Sequence, residues 1–158
     1  AVWQRMHRRS PPNTTPGAGM NVKIADLMSS KVLSAQPHQS VVHVRKMMQD
    51  NKVHALPVVA SDGELEGIIS SHDLMDPLKD HSPVSSIMER NVYTIPQYND
   101  VHHAARLMRN HHIHHVVVTH EQKVVGILSA FDLLALVEDH RFVMKSAPQT
   151  ARQAPKRK

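Results

Sequence analysis

Apolar residues recur along the chain with two periods, and each change of period marks an expected element. In residues 41–48 and again in 101–108 they follow the i, i+3, i+7 spacing that places side chains on one face of a helix. Short runs rich in Val, Ile and Leu come after each helix, at 55–59 and 65–69 and at 115–119 and 124–128. The pattern therefore predicts that each helix is followed by a pair of strands.

Each helix is also preceded by the same signals. A short amphipathic turn leads to a brief β-type segment and a loop that contains proline, with the turns at 24–28 and 84–88 and the segments at 32–34 and 92–94. Asp62 and Gly63 form a tight-turn signal between the first pair of strands, and Glu121 and Gln122 form a weaker one in the second. A further helix is expected to begin near Ser70 and near Ser129. The order in each unit is β-α-β-β-α.

These matching orders come from an internal repeat. Residues 24–56 return at 84–116 with an offset of 60, and residues 67–74 return at 126–133 with an offset of 59. Two copies of this length favour a pseudo-symmetric pair over an open array of repeats. A single unit buries little apolar surface, so the expected fold class is α+β, with two units packed through their sheets.

Composition limits the possible classes of protein. The chain has 158 residues, of which 41% are apolar but only 3% aromatic, so the core must be aliphatic and include some of the nine Met. No run approaches the roughly 20 apolar residues of a membrane span, and the first residues show no apolar signal-peptide centre. The absence of cysteine excludes a disulfide scaffold, a cysteine nucleophile and a thiolate metal site. A reducing, cytoplasmic location is expected.

Charge is distributed unevenly. The chain carries a formal charge of +5, yet residues 22–140 hold 10 Lys and Arg against 14 Asp and Glu, and the remaining nine positive charges lie in the ends. The ends have no apolar period and are expected to be disordered. The predicted divisions are 1–19, a disordered basic tail or an appended linker; 22–80, unit 1; 81–140, unit 2; and 145–158, a second basic tail. Solvated tails are the expectation, and weak attraction to nucleic acid is the alternative.

One motif ends each unit and carries a family resemblance. Gly67 and Gly126 begin the pattern Gly-h-h-Ser-x-x-Asp-Leu, in which h is aliphatic. Together with the strand 56–59 and the segment 110–118, it resembles a tandem pair of CBS domains, which are named after cystathionine β-synthase. The resemblance covers residues 22–140. It implies a non-catalytic regulatory module without a catalytic cofactor, a homodimer in which two pairs form a flat four-unit assembly, and a separate effector protein.

The resemblance also implies a ligand. In such families the Ser holds phosphate and the Asp holds ribose in a cleft between the units, and the ligands are AMP, ADP, ATP, S-adenosylmethionine or related adenosyl compounds. An N-terminal helix position suits phosphate on physical grounds as well. The nucleotide-binding candidates are Ser34, Ala35, His54, Leu56, Pro57, Ser70, Asp73, Thr94, Ile95, His114, His115, Val116, Ser129 and Asp132.

Helix capping is the structural alternative for the same residues. Ser-x-x-Asp fits a capping box, in which the acid reaches back to the cap. Asp is one methylene shorter than the usual Glu, so this reach is expected to be strained. A cap and a ligand site are about equally compatible with the motif alone.

The sequence also departs from the family pattern. Many members have Arg just before the Asp, where this chain has His72 and Phe131. A site without a fixed cation should hold a triphosphate poorly, which favours monophosphates, nucleosides or S-adenosylmethionine. Val117 stands where the first unit has Pro57, so the two clefts are not expected to be equivalent.

The fourteen histidines leave a further question open. Imidazole binds zinc and related ions, but His111 to His115 straddle a helix end and a strand start and need not converge. Solvated or strand-flanking histidines are the favoured interpretation, without a metal, and a metal or pH sensor is the alternative.

The chain contains no Gly-x-Ser-x-Gly elbow and no Walker-type loop, so catalysis is not expected. A ligand-free assembly module remains the other alternative.

Overall fold

The computed structural model describes residues 21–138, and the predicted tails 1–19 and 145–158 lie outside this range. Two units of the same architecture follow one another. In the first, α1 (Ile24–Leu27) precedes α2 (Val41–Asn51), β1 (Ala55–Val59) and β2 (Leu65–Ser70). Single 3₁₀ turns at Pro77–Lys79 and Val84–Ser86 lead to β3 (Thr94–Pro96), α3 (Val101–His111), β4 (His115–His120), β5 (Lys123–Ser129) and α4 (Ala130–Glu138).

Each unit contains a small sheet built on an antiparallel hairpin. β1 pairs with β2, and the backbone of Ala35 bridges to Val58 in parallel orientation on the other side. In the second unit the equivalent bridge is extended to a strand, so β3 runs parallel to β4 and β4 pairs with β5. β-branched residues dominate these strands and suit the pleated geometry. The helices α2, α3 and α4 and both hairpins are confirmed, and the mixed α+β class with them.

The hydrophobic core of each unit contains side chains from the leading segment of the other. Val84 and Met88, which open the second repeat, lie in the core formed by α2, β1 and β2. Ile24, which opens the first repeat, lies fully buried in the core formed by α3, β4 and β5. Each repeat therefore completes the other's core by exchanging its first segment.

β1 and β4 also bury a side chain on the face that points away from these cores. Side chains alternate between faces along a strand, so Val117 points away from its neighbours Val116 and Val118, which lie in the second core. Val117 is nevertheless 0% exposed, and Pro57 on β1 is buried as well. Burial of both faces is what packing of the two units through their sheets requires.

The exchanged segments pair with the edge strands β2 and β5 beside two glycines. The backbone of Ile68 hydrogen-bonds in both directions with Glu89, and Ile127 does the same with Ser29. A Cβ on Gly67 would lie 2.6 Å from Sδ of Met88, and one on Gly126 would collide with Met28 in the same way. The glycines of the repeated motif are therefore explained by close packing between segments.

Three predicted elements were wrong in position or type. The β-type segments expected at 32–34 and 92–94 lie further along, at the Ala35 bridge and at Thr94–Pro96. No helix begins at Ser70, where residues 71–74 form turns. Pro77 explains the difference, because its ring would clash with the carbonyl of Asp73 in a continued helix and disfavours helical geometry at Asp76.

The one-residue slip between the repeats falls in the hairpin turns. Glu121 and Gln122 both have positive φ, 47° and 66°, and join His120 directly to its partner Lys123. This is the two-residue turn whose twist matches that of the strands. The first hairpin uses a longer turn closed by the Ala60 and Glu64 backbones. The weaker turn signal thus produces the tighter turn.

An ion pair joins the beginnings of α1 and α3. Lys23 Nζ lies 2.6 Å from Asp100 Oδ1, and the backbones of the same residues form an antiparallel bridge. Hydrogen bonding from Lys23 is the largest cause that lowers the pKa of Asp100 below its usual value. α1 belongs to the first repeat, but its Ile24 packs in the core of the second unit. The ion pair therefore lies beside that core.

The segment exchange predicts the effect of a substitution in the second repeat on the first core. Met88 is 8% exposed, and we expect Met88→Ala to lower the free energy of unfolding by about 2–4 kcal/mol through lost burial and a cavity. Met75→Ala is the matched control, because Met75 is 72% exposed and its truncation should cost less than about 0.5 kcal/mol. Urea unfolding measures both, and equal costs would contradict the exchange.

Candidate functional site

The Ser and Asp of each repeated motif hydrogen-bond to each other. Asp73 Oδ2 accepts from the Ser70 backbone N–H and hydroxyl, both at 2.7 Å. Asp132 Oδ2 accepts the same two bonds from Ser129 at 2.8 Å, and the Asp132 N–H donates to Ser129 Oγ at 3.1 Å. Asp therefore reaches back to the cap in both units, in spite of its shorter side chain. The second unit forms both halves of a capping box at the start of α4.

Capping leaves one oxygen of each carboxylate available. Within residues 21–138, Oδ1 of Asp73 and Oδ1 of Asp132 take no hydrogen bond, whereas each Oδ2 takes two. Both residues are half-buried, and no side-chain nitrogen or oxygen buried in this range lacks a partner, so neither Oδ1 is sealed from solvent. The cap orients the carboxylate and leaves an acceptor for a hydroxyl group.

Strand pairing brings several of the predicted histidines to these motifs. Ser129 lies opposite His115, and Ser70 lies opposite Ala55, next to His54. The backbones continue the pairing, since the N–H of Ser71 donates to the carbonyl of His54, and that of Ala130 to the carbonyl of His114. The start of each central strand therefore flanks the Ser-x-x-Asp turn.

His115 lies opposite Ser129 on the neighbouring strand, beside the second Ser-x-x-Asp turn. It is half-buried, and burial is the largest cause that lowers its pKa below 6.5. The charge of His114 acts in the same direction, Asp132 opposes it, and His54 of the first unit also lowers the pKa.

The other predicted ligand-binding residues divide into two groups. Ser34 and Thr94 are exposed and can meet a ligand with their side chains. The apolar candidates are buried, at 5% exposure or less for the four in the cores, namely Ala35, Leu56, Ile95 and Val116, with Pro57 buried on the opposite face. In this conformation their side chains support the site from beneath, and their direct contact with a ligand stays a prediction.

Two cavities related by the repeat lie beside the motifs. One, of about 640 Å³, is bordered by α2, His54 and Leu74, and the other, of about 490 Å³, by α3, His114 and Leu133. The first is lined by Arg45, which the sequence analysis missed. Its guanidinium donates to the carbonyl of Leu74 at 2.6 and 2.8 Å and to Asp80 at 2.6 Å.

Arg45 stabilises the turns that replace a helix in the first unit. The second unit has Ala105 at the equivalent position and continues into α4. Pro77 is the sequence signal that distinguishes the two units. Because it stops a helix in the first unit, the Leu74 carbonyl has no helical N–H partner and is bonded by the Arg45 side chain.

Comparison with known proteins identifies the family of these units. The family model described as CBS domain matches residues 24–80 and 84–139. A CBS domain-containing protein of Dictyostelium discoideum is 31% identical over 135 residues, covering 75% of this chain and 92% of that protein. Homoserine O-acetyltransferase of Methanosalsum zhilinae is 28% identical over 123 residues, and the chain spans only 25% of its length.

Solved structures show the same arrangement. The CBS domain pair of protein MJ0100, solved with 5′-methylthioadenosine and S-adenosyl-L-methionine, has a TM-score of 0.71 and 29% identity, covering 75% of this chain and 98% of that one. An uncharacterized conserved protein of Pyrococcus horikoshii has a TM-score of 0.69 and 28% identity, covering 80% and 99%. None of the helices in the described part of this chain has the length and apolar character needed to cross a membrane.

The environment of His115 predicts a pH-dependent stability. Because folding lowers its pKa, the unfolded chain binds more protons, and the stability that neutral His115 contributes is complete above about pH 6.5 and is lost as the pH falls through the folded value. We expect His115→Ala, which copies Ala55 of the first unit, to reduce the slope of unfolding free energy below pH 6.5. The reduction is at most about 1.4 kcal/mol per pH unit.

Urea unfolding between pH 7.5 and 5.5 measures this slope. His72→Ala is the control, because His72 is exposed. If His115→Ala leaves the dependence of unfolding free energy on pH unchanged, the lowered pKa of His115 in the folded chain is contradicted.

Proposed function

The chain belongs to the CBS domain family as a tandem pair, and from this premise we propose that it is a regulatory module that binds an adenosyl ligand between its units. CBS domain pairs are regulatory modules, typically non-catalytic. The observation that carries the proposal is the pair of Ser-x-x-Asp turns, each beside a cavity, in which the aspartate Oδ1 takes no hydrogen bond within residues 21–138. A ligand held in a cleft between the units contacts both of them and can respond to their relative position.

The Ser-x-x-Asp turns supply the polar contacts of the proposed site. Oδ1 of Asp132 accepts a ribose hydroxyl, while Oδ2 remains bound to Ser129 and keeps the carboxylate in place. Preorganisation of this kind lowers the entropy cost of binding. Asp73 is built in the same way in the first unit, and the difference between Ala55 and His115 makes the two sites unequal.

The charges near the motif favour ligands without a triphosphate. His72 and Phe131 occupy the positions that precede the two Asp residues, and both are exposed. Residues 22–140 have a formal charge of −4, which also disfavours a highly anionic ligand. The MJ0100 domain pair was solved with S-adenosyl-L-methionine and 5′-methylthioadenosine, which agrees with this preference.

Ligand binding regulates a partner only if it changes a conformational equilibrium. The ligand must bind one arrangement of the two units more tightly than another, and an effector protein must distinguish these arrangements. The exchanged segments connect the two cores, so a change in the angle between the units alters the packing of both. The expected location of this regulation is the cytoplasm.

A second copy of the chain is the proposed occupant of the apolar face of α4. Phe131, Leu134 and Val137 are 78%, 55% and 51% exposed, and no residue of α4 is buried. Such a face is typical of an interface. A two-fold axis beside α4 covers the same face on both copies at once, which produces the flat assembly of four units that the family resemblance implies.

Capping alone provides the competing interpretation. The Ser–Asp hydrogen bonds satisfy the turn without any ligand, and a homo-oligomeric assembly module would need nothing more. Binding of nucleic acid by the basic tails is a further alternative, and those tails lie outside the described residues. Ligand titration separates these alternatives.

Calorimetric titration of the full chain tests the adenosyl site. We expect S-adenosylmethionine, 5′-methylthioadenosine or AMP to bind more tightly than ATP. Asp132→Asn should weaken that binding about 10- to 100-fold, because a charged hydrogen bond to the ribose becomes a neutral one. Asp50→Asn, an exposed change on α2, should have no effect. Absence of binding by the folded chain, or undiminished binding by Asp73→Asn combined with Asp132→Asn, would contradict the proposal.

The assembly is tested separately by analytical ultracentrifugation. Leu134→Glu should convert dimers to monomers, because it places a charge on the apolar face of α4. Tyr98→Ser, at a residue that is 64% exposed outside α4, should leave the dimer intact. A monomeric parent chain, or a dimer insensitive to Leu134→Glu, would contradict this interface.

A further inference from the structure

Three side chains that can bind a metal ion meet at the beginning of α3. One ligand atom each from Asp100, His102 and His103 lies within 4.8 Å of the other two. The two imidazole rings have their centroids 4.0 Å apart and are tilted by 35°. Both histidines are exposed and Asp100 is half-buried, so an ion can reach the cluster from solvent.

The first repeat shows that helix formation does not require this cluster. Its equivalent positions hold Ser40, Val42 and His43. Ser40 caps α2 in the usual way, since its hydroxyl accepts a bond from the His43 N–H at 3.4 Å. Asp100 occupies the same capping position in α3, yet its side chain makes no capping hydrogen bond. Its carboxylate instead faces Lys23 and the two histidines.

The chemistry of the three groups indicates which ions they suit. Two imidazoles and one carboxylate match borderline divalent ions of the first transition series, and they do not match Mg²⁺ or Ca²⁺, which prefer oxygen ligands throughout. A Zn–N distance of about 2.0–2.1 Å with tetrahedral angles requires ligand atoms about 3.3 Å apart. Exposed side chains can close the remaining gap by rotation.

We propose that Asp100, His102 and His103 bind one divalent transition-metal ion, with water completing its coordination. The sequence favours solvated histidines without a metal, and this cluster instead supports the alternative of a metal-binding role. The proposal goes beyond the adenosyl site, because none of its three residues belongs to that site. A result that contradicts the metal site therefore leaves the adenosyl site untouched, and the reverse is also true.

Lys23 competes with the metal ion for Asp100. Its ammonium group lies 2.6 Å from Oδ1, so a bound ion must displace this group or share the carboxylate through Oδ2. Repulsion between the two cations weakens binding in either arrangement. Removal of the Lys23 charge should therefore strengthen metal binding, an effect that a purely structural role of the cluster would not produce.

Zn²⁺ titration of the full, untagged chain by calorimetry tests the site. We expect binding of Zn²⁺, and His102→Ala and His103→Ala should each weaken its tightest site at least tenfold. His43→Ala is the matched control at the position equivalent to His103, and it should leave this site unchanged. Mg²⁺ should not bind there. Equal Zn²⁺ binding by the parent and His103→Ala, or equal losses in His103→Ala and His43→Ala, would overturn the proposal.

A charge variant provides the second arm of the test. Lys23→Met should tighten Zn²⁺ binding about tenfold, and Asp100→Asn should weaken it by a similar factor. Unchanged or weaker binding by Lys23→Met would overturn the role of Asp100 as a ligand. Thermal unfolding without metal checks that each variant is folded, and titration of the same variants with S-adenosylmethionine separates loss of the metal site from loss of the adenosyl site.

Discussion

The reciprocal exchange of leading segments is the constraint on which the rest of this fold depends. Ile24 completes the second core, and Val84 and Met88 complete the first. Gly67 and Gly126 permit the exchanged segments to pack closely against β2 and β5, because a Cβ at either position would collide with a methionine side chain. Neither repeat contains its own complete core, so the two units form one cooperative structure with a defined interface between their sheets.

The Ser-x-x-Asp turns combine a structural role with the binding role that we propose. Hydrogen bonds to Ser70 and Ser129 use Oδ2 of each aspartate, and the remaining oxygen takes no hydrogen bond within the described residues. Capping and ligand binding therefore do not exclude each other. The same interaction that begins α4 also orients the carboxylate that we propose binds ribose.

Differences between the copies give each unit its individual character. Pro77 prevents a helix in the first unit, and Arg45 satisfies the Leu74 carbonyl that is then left at the turn. His115 in place of Ala55 brings a half-buried titratable group to the interface. Asp100 in place of Ser40 exchanges a helix cap for a group of candidate metal ligands. A repeat conserves the fold, whereas such single exchanges change the chemistry of each copy.

The sequence by itself determined the elements whose signals are local. The hydrophobic period placed α2 and α3, the β-branched runs placed β1, β2, β4 and β5, and the repeat established two related units. The tertiary structure decided the exchange of Ile24 and Met88 and the meeting of Asp100 with Lys23, which is 77 residues away. Periodicity records which face of an element is buried but not which distant segment covers it, because that choice depends on packing and charge contacts that exist only after the chain has folded.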